Sequence, residues 1–528
     1  MTGRSFDVVI VGSGFGGSTM AMIAARLGLR AILLERGRHP RFAIGESASP
    51  LAGILIEQLS DRYDLPRVRP LSAFGTWRRA YPQVVCGLKR GFTYFKHEAG
   101  QRYRCAPNRA NQLLVAASPS DEVSDTHWLR SDVDHFLVNE AIALGIEYTD
   151  LVGLERIEWQ PNGDPVLVGS REGRHLRIRA RVVLDASGPR GFLSKALEIG
   201  SRNFDAYPAT QALFSHFTDV ARCDSMPEFA ASAGTLAPSH PRTLAPPGPP
   251  YPMDDAALHH VFDGGWMWVL RFGNGVTSAG IAVEDRLAEE LRLADGEPAW
   301  TRLLGRYPSI AAQFADARPI RPFTWMPRLA YRAVRVAGER WAMLPSAAAF
   351  IDPLFSTGIP LTLLGIERMA SMIEADPRRL EPALYADGTL GDADRTARFI
   401  AGSYGGFHDF ASFTAYSMFY FAAASYSEMA RRLGSPRAPR GFLCGDSAAF
   451  TSAMGRLSPA AADVRYLEGY PDRVAAAVSD WNVAGLCDPR KENWYPVDPE
   501  DTIRAAYKLG LSAEHVRQAL TQNAETAP

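Results

Sequence analysis

The amino-acid sequence predicts an α/β fold: a Rossmann-type dinucleotide-binding domain, an inserted mixed or antiparallel β-sheet domain and a helical C-terminal region. A glycine-rich βαβ unit of about 30 residues begins near the N-terminus, the size expected for a nucleotide fold. Alternating bulky residues typical of a strand occur in the middle of the chain, and the pattern becomes helical and aromatic-rich after about residue 372. The predicted intervals are 1–200 with 320–372 (nucleotide-binding domain, 75–105 reaching the substrate side), 201–319 (sheet domain) and 373–528 (C-terminal region).

Composition excludes several function classes. The chain has 528 residues, too many for one simple core, and its 46% hydrophobic and 22% charged residues are typical of a globular enzyme. A net charge of −1 provides no overall field to attract nucleic acid or an anionic membrane surface. The apolar stretches are shorter than the roughly 20 residues of a membrane span. Residues 1–5 leave no room for a signal peptide, so we expect a cytoplasmic protein.

The cysteine pattern argues against a structural metal. The five cysteines are scattered, at Cys86, Cys105, Cys223, Cys444 and Cys487. Neither alone nor with histidine do they have the spacing of a zinc site. We therefore expect free thiols and no bound metal.

The first 35 residues have the order of a βαβ unit. Phe6–Val11 is a β-branched run typical of a strand buried on both faces of a parallel sheet. Ser18–Leu27 has a helical pattern, and Ala31–Glu35 is a second strand. The turn between the first strand and the helix is therefore the predicted nucleotide site.

The residues of that turn have separate tasks. Gly12 permits the tight turn, Gly14 lets the backbone approach a pyrophosphate, and Gly17 lets the helix pack closely on the strand. The pyrophosphate then lies at a helix N-terminus, where free N–H groups favour negative charge. Glu35, at the end of the second strand, is placed for the ribose hydroxyls and disfavours a 2′-phosphate. We include the adjacent Arg36 in the predicted site.

Four further segments continue the nucleotide pattern. They are Gly45–Pro50 (GESASP), Arg130 ahead of a predicted helix, Asp185–Gly188 (DASG) and Ile351–Ile359 (IDPLFSTGI). In this order they resemble the flavin-contacting motifs of the FAD-dependent aromatic hydroxylase-like superfamily, and the first is similar to the GESxxP segment of flavin-dependent halogenases. The resemblance implies bound FAD. The FAD residues that it implies are Ser47, Arg130, Asp185, Asp352, Gly358 and Ile359.

A tryptophan pair resembles the flavin-dependent halogenases more narrowly. Trp266 and Trp268 match both tryptophans of that family's WxWxIP signature, although Leu270 and Arg271 replace its Ile-Pro. The resemblance implies that the pair forms a wall between flavin and substrate. Such a wall prevents the activated flavin from hydroxylating the substrate directly.

The segment LKRGFTYF is similar to the lysine-containing segment of phenol- and pyrrole-type halogenases. The resemblance implies that Lys89 is the catalytic lysine that captures or orients hypohalous acid, with Lys96 as the rival candidate. An ammonium can hydrogen-bond and polarise hypohalous acid. Phe355 stands where tryptophan halogenases carry a glutamate, which favours a phenol or pyrrole over an indole.

The resemblance implies a two-component halogenase. A separate flavin reductase supplies reduced FAD, dioxygen is consumed, and chloride or bromide is held near the backbone N–H groups of Thr357 and Gly358. Hypohalous acid then passes the tryptophan wall to Lys89 and reacts with an electron-rich aromatic substrate, free or tethered to a carrier protein. His97 and Glu98, close to the lysine in sequence, are candidate general bases.

Three alternatives stay open, because superfamily membership does not choose a reaction. Residues 341–348 lack the Gly-Asp of the usual GDA motif, so the chain has departures from the hydroxylase pattern as well. One alternative is a monooxygenase that hydroxylates or epoxidises its substrate with NAD(P)H. The others are an alkene reductase similar to geranylgeranyl reductases, and a non-enzymatic protein in which FAD is a structural element.

Overall fold

The computed structural model describes residues 4–205, 207–230, 248–377, 379–461, 464 and 467–526. Most of the proline-rich segment 238–252, for which the sequence predicts an irregular surface excursion, lies outside the described residues. The strands are β1 Arg4–Val11, β2 Ala31–Leu34, β3 Cys86–Lys89, β4 Gly91–Lys96, β5 Gln112–Ala116, β6 Asp125–Trp128, β7 Glu147–Thr149, β8 Val152–Trp159, β9 Pro165–Arg171, β10 Arg174–Asp185, β11 Ser201–Arg202, β12 Thr210–Thr218, β13 Ala257–Phe262, β14 Gly265–Arg271, β15 Thr277–Glu284, β16 Arg318–Pro319, β17 Thr324–Met326, β18 Tyr331–Ala333, β19 Ala337–Gly338, β20 Trp341–Met343, β21 Ala349–Phe350 and β22 Trp494–Tyr495.

The helices are α1 Phe15–Arg26, α2 Pro50–Arg62, α3 Phe74–Ala80, α4 Arg130–Ala143, α5 Phe192–Ala196, α6 Pro227–Ala230, α7 Asp285–Leu291, α8 Glu297–Arg306, α9 Pro308–Gln313, α10 Pro345–Ala348, α11 Gly358–Ala375, α12 Pro382–Gly405, α13 Phe410–Arg432, α14 Ala448–Arg456, α15 Tyr470–Val478, α16 Pro499–Arg504 and α17 Ala513–Thr526.

The first sheet is the predicted nucleotide-binding sheet. Its order is β19-β20-β10-β1-β2-β7, with β20, β10, β1, β2 and β7 parallel and the β8–β9 pair added antiparallel to β10. Val8, Val9 and Ile10 are fully buried, as a strand covered on both faces requires. Helix α1 begins at Phe15, three residues before the predicted helix, because the glycines of the turn form its first residues.

The second sheet is mixed. Its order is β16-β12-β15-β14-β13-β4-β5-β22, with β17 also paired to β12. Most neighbours are antiparallel, whereas β13 with β4 and β5 with β22 run parallel. One face packs towards the first sheet, and the other packs on α8 and α9 around Trp300, Phe217 and Phe314.

The long helices α11, α12 and α13 pack beside both sheets, and α11 contacts α1, α2 and α12. The predicted fold class, with a nucleotide-binding sheet, a mixed second sheet and a helical C-terminal region, is confirmed. The exact domain intervals stay predictions. Among the described residues, every helix is too short or too polar to cross a membrane.

Candidate functional site

A cavity of about 340 Å³ lies between the two sheets and the helical region. Residues of α1, β12, β14, α11 and α12 line it, together with the loop 43–47 and the loop after β10. It therefore joins segments that are far apart in the chain, as cofactor cavities between domains commonly do.

The glycine-rich turn forms one end of this cavity. Gly12 has φ of +99°, and a Cβ there would lie 2.5 Å from the carbonyl oxygen of Ala186. A Cβ on Gly17 would lie 1.9 Å from the carbonyl oxygen of Gly12, so both positions exclude a side chain. Gly14 lines the cavity at the N-terminus of α1, where the helix dipole favours a phosphate.

Glu35 lies at the end of β2 beside the turn. It accepts hydrogen bonds from the N–H and hydroxyl of Ser13, at 3.0 and 2.8 Å, from the N–H of Gly37 at 2.8 Å and from Arg41 at 3.0 Å. Burial opposes its ionisation, but Arg41 and these donors outweigh burial and lower the pKa of Glu35 to about 2. Glu35 is therefore ionised, and its carboxylate holds the glycine-rich turn in place. Its neighbour Arg36 is exposed at the surface.

Two other predicted nucleotide residues shape the cavity wall. Arg130 lines the cavity, pairs with Asp134 at 2.9 Å and donates to the carbonyl oxygens of Ile44 and Gly45. Asp185 lies behind the wall, where it accepts the N–H of Leu193 at 2.7 Å and orders the loop after β10. Arg130 thus braces the loop that contains the GES segment, and Asp185 positions the loop opposite.

The tryptophan pair lies on the cavity-facing side of β14. Trp266 is fully buried and Trp268 is 5% exposed, and both line the cavity beside His259 and Phe214. Trp266 donates to the hydroxyl of Tyr404 at 3.2 Å. The two indoles, with ring centroids 5.7 Å apart, therefore form an aromatic wall on this side of the cavity. Its role between flavin and substrate stays a prediction.

The segment before α11 forms another part of the cavity wall. Phe355 and Ser356 have φ of +64° and +56°, a strained left-handed conformation for residues with side chains. This turn presents Thr357, Gly358 and Ile359 to the cavity at the start of a helix of 18 residues. Around Gly358, space is open where a Cβ would stand, so its backbone is accessible to a ligand.

Asp352 lies in the same wall and is buried. Its carboxylate accepts the hydroxyls of Tyr207 and Tyr404, each at 2.8 Å, and the N–H of Leu354 at 2.9 Å. Burial raises the pKa of Asp352. The Tyr404 hydroxyl also accepts a hydrogen bond from the indole N–H of Trp266. The aspartate is therefore connected through Tyr404 to the aromatic wall.

Lys89 ends β3 and is fully buried directly behind the cavity wall. Its Nζ donates to the carbonyl oxygen of Ala48 and, at 3.2 Å, to the Ser356 hydroxyl, and lies 3.9 Å from the centre of the Phe92 ring. Ser356 itself lines the cavity and precedes the predicted halide residues. Burial lowers the pKa of Lys89, and the carboxylate of Asp125, its cross-strand neighbour on β6, opposes that effect.

The rival candidates lie elsewhere. Lys96 is bound to Asp263 at 2.5 Å and to the carbonyl oxygen of Phe407 at 2.6 Å. His97 is 2.9 Å from His260 in the core on the other face of the second sheet. The geometry thus associates Lys89, and neither of these two residues, with the α11 turn.

Sequence reasoning missed a hydrogen-bonded glutamate–histidine pair in the cavity. Glu46 lines the cavity, is 3% exposed, and its Oε1 lies 2.7 Å from Nε2 of His216 on β12. The glutamate belongs to the recognised GES motif, but no local signal indicates that a histidine 170 positions later is its partner.

The residues fit an extended dinucleotide cofactor. Two helix N-termini, those of α1 and α11, face one cavity, and Gly14 and Gly358 line it with no side chain over the backbone at either terminus. Such termini favour the negative charge of a pyrophosphate and of a reduced flavin ring. Among the residues that the structure describes, no cluster of three or more His, Cys, Asp or Glu side chains is arranged for a metal ion.

Comparisons with known proteins agree with this arrangement. No family model matches the chain. It is 32% identical over 391 residues to tetracycline 7-halogenase of Kitasatospora aureofaciens, covering 73% of this chain and 65% of the relative. It is 28% identical over 418 residues to monodechloroaminopyrrolnitrin halogenase PrnC of Pseudomonas fluorescens, covering 77% and 69%. The chain thus spans about two thirds of the length of these relatives.

Solved structures share the fold. Halogenase PltM in complex with phloroglucinol and FAD matches with a TM-score of 0.78 at 23% identity, covering 92% of this chain and 99% of that one. The flavin-dependent brominase Bmp2 matches with a TM-score of 0.60 at 19% identity, covering 90% and 99%.

The two sheets, the glycine turn and the α11 turn define an α/β fold that is shared with halogenase PltM, which was solved with FAD. By sequence, the chain is a homologue of the flavin-dependent halogenases.

Proposed function

We propose that this protein is a flavin-dependent halogenase that binds FAD in the cavity and halogenates an electron-rich aromatic ring. The observation that carries the proposal is the position of Lys89, fully buried behind the cavity wall and bonded to Ser356 at the α11 turn. A buried ammonium at this place is suited to bind and polarise hypohalous acid. The relatedness to two named halogenases supports the same reaction class.

When bound and reduced, FAD with dioxygen and halide supplies hypohalous acid. The N–H groups at Thr357 and Gly358, where the dipole of α11 is positive, hold the halide. Trp266 and Trp268 keep the substrate away from the flavin, so that only the small acid passes. The Lys89 ammonium has three N–H donors, two of which are used by Ala48 and Ser356.

At Lys89, an N–H donates to the oxygen of hypohalous acid and makes the halogen more electrophilic. The ring carbon takes the halogen, and the oxygen leaves as water once it receives the proton displaced from that carbon. The protein needs no nucleophile for this step. It supplies orientation, charge and exclusion of bulk water.

The substrate class follows from the relatives and from Phe355. Two other relatives, 25% and 24% identical, are named a brominase and a chlorinase of pyrrole-2-carbonyl on a peptidyl-carrier protein. Phe355, buried against Tyr94, Phe399 and Tyr420, contributes an apolar ring where an indole-specific enzyme would carry a carboxylate. A phenol or pyrrole, free or carrier-bound, is therefore the proposed substrate. A cytoplasmic location and a separate flavin reductase are part of the proposal.

The test supplies reduced FAD, dioxygen and bromide with a panel of phenols, pyrroles and indoles, and reads products by mass spectrometry. We expect a bromine isotope pattern that Lys89→Met abolishes, a loss of at least about a hundredfold, while FAD binding is retained. Lys96→Met is the matched control, because it removes a buried lysine bound elsewhere, and it keeps activity.

Hydroxylated products that do not depend on halide would instead favour the monooxygenase. So would bleaching of the flavin by NADPH alone under anaerobic conditions, since a halogenase of this type needs a partner reductase.

A further inference from the structure

One branch of the cavity follows a single face of α11. Gly358, Leu361 and Arg368 lie on this face, because positions three, seven and ten residues apart share one side of a helix. All three line the same cavity, and at its far end Thr389 and Asp392 of α12 line it as well. The proposed halide site and this polar end therefore belong to one continuous space.

The polar end carries excess positive charge. Asp392 is buried and accepts from both Arg368 and Arg395, and from the N–H of Phe442 at 2.8 Å. Neither arginine pairs with a second carboxylate in the described part of the chain. Two guanidinium groups thus share one carboxylate, and one positive charge remains for an anion to balance.

The same end has donors without acceptors. Nη1 of Arg368 and the hydroxyl of Thr389 are buried and make no hydrogen bond within the described residues. A buried donor left unpaired destabilises the folded protein, so a bound acceptor is favoured. The side chains of Arg368 and Arg395 are 18% and 17% exposed, whereas that of Asp392 is 2% exposed, so the cluster lies where the surface meets the cavity.

We infer that this cluster is a second anion site, which takes up chloride or bromide from solvent and passes it along α11 to Thr357 and Gly358. A monatomic anion fits best, because one N–H of Arg368 Nη2 is already bound to Asp392, whereas Nη1 is the buried nitrogen that makes no hydrogen bond within the described residues. A carboxylate or phosphate prefers both nitrogens of the guanidinium fork. The identity of the anion rests on the proposed function, whereas the presence of a site rests on the charges and donors alone.

The first test reads binding without catalysis. Crystals of cofactor-free protein are soaked in sodium bromide, and anomalous scattering locates the bromide ions. We expect a peak between Nη1 of Arg368 and the Thr389 hydroxyl, lost in Arg368→Met and retained in Arg332→Met. Arg332 of β18 is the matched control. It is a buried arginine that does not line the cavity, and its partner Asp394 lies on α12, the helix that also contains Asp392.

The second test separates binding from chemistry. In Arg368→Met the KM for bromide should rise about tenfold or more, the effect of losing a charge-assisted hydrogen bond, with a much smaller change in kcat. Arg368→Lys, which keeps the charge, should restore most of the affinity, and this shows that the loss is not one of folding.

The absence of a bromide peak at Arg368, or an unchanged KM in folded Arg368→Met, would overturn the second site. A peak at Arg368 in a protein that halogenates no aromatic compound would instead leave the site in place and reject the proposed function.

Discussion

Among single residues, Glu35 shows how burial and charge combine at the nucleotide turn. Its pKa falls to about 2 because Arg41 and three N–H or O–H donors outweigh burial. We expect Glu35→Gln to lower the free energy of unfolding by about 3 kcal/mol at pH 7, since each pKa unit corresponds to about 1.4 kcal/mol. Because the pKa of Glu35 is lowered in the folded protein, its contribution to stability is fully present at a pH above the ordinary glutamate pKa. That contribution is lost as the pH falls towards 2.

Urea unfolding of both proteins from pH 7 to pH 3 measures this difference. The difference in free energy of unfolding between the two proteins should be constant down to about pH 5 and then narrow. It narrows because Glu35 becomes protonated first in the unfolded and then in the folded protein. A gap that is independent of pH would show that the charge of Glu35 is not what stabilises the turn. Glu172→Gln, in an exposed turn after β9, is the control.

At the same scale, Asp125 is predicted to adjust the protonation of Lys89. Both are buried and face each other across β3 and β6, and the carboxylate raises a lysine pKa that burial lowers. Asp125→Asn removes this support, so the pKa of Lys89 falls further and the ammonium is lost at lower pH. The rate of halogenation should therefore fall severalfold at pH 8, with little change at pH 6, because the ammonium is retained at the lower pH.

The measurement is a rate profile between pH 6 and pH 9 at saturating halide and substrate. Asp263→Asn, which removes the carboxylate partner of Lys96, provides the matched control and should leave the profile in place. An equal loss at every pH in Asp125→Asn would mean that the aspartate acts on folding and not on the protonation of Lys89.

At the scale of elements, β14 and β15 keep the aromatic wall in position. A Cβ on Gly280 of β15 would lie 2.3 Å from the Trp268 ring and 2.4 Å from Cβ of Phe214. Gly280→Ala must therefore displace the indole or the strand, and overpacking of this kind costs about 1–3 kcal/mol. We expect weaker FAD binding together with lower stability, measured by flavin titration and thermal unfolding.

Gly305→Ala makes the same chemical change where space is open at the end of α8, and it should be neutral or slightly stabilising. Tight FAD binding with full stability in Gly280→Ala would show that the wall can shift at no cost.

Elements with local patterns could be predicted from the sequence. The βαβ unit follows from β-branched runs and glycine spacing, so β1, α1 and β2 lie where the pattern places them, within three residues. The contacts that build the site are different in kind. Lys89 meets Ser356 across 267 positions, and the parallel pairing of β13 with β4 that orders this region has no local signal. Family resemblance indicated Lys89 and the tryptophans, but neither pattern nor motif indicated the cluster around Arg368.

At the scale of the whole molecule, one cavity joins the first sheet, the second sheet and the C-terminal helices. Its lining runs from Gly14 of the N-terminal turn to Asp392 of α12, so a ligand that fills it connects segments that otherwise meet only along its walls. FAD should therefore stabilise all of these segments together. At a free concentration one hundred times Kd, binding to the folded state alone adds about 2.7 kcal/mol.

Thermal unfolding with increasing FAD tests this prediction. Hydrogen exchange monitors the unfolding of each region. The unfolding temperatures of the two sheets and of the helical region should rise together and by similar amounts. Gly14→Val should abolish the shift, because the new side chain stands where the pyrophosphate approaches α1, against Arg130. Gly455→Val, at an exposed position on α14 with open space around it, should keep the shift. A shift confined to the first sheet would mean that the cavity binds only the nucleotide half of the cofactor, and that the α11 turn does not meet the flavin.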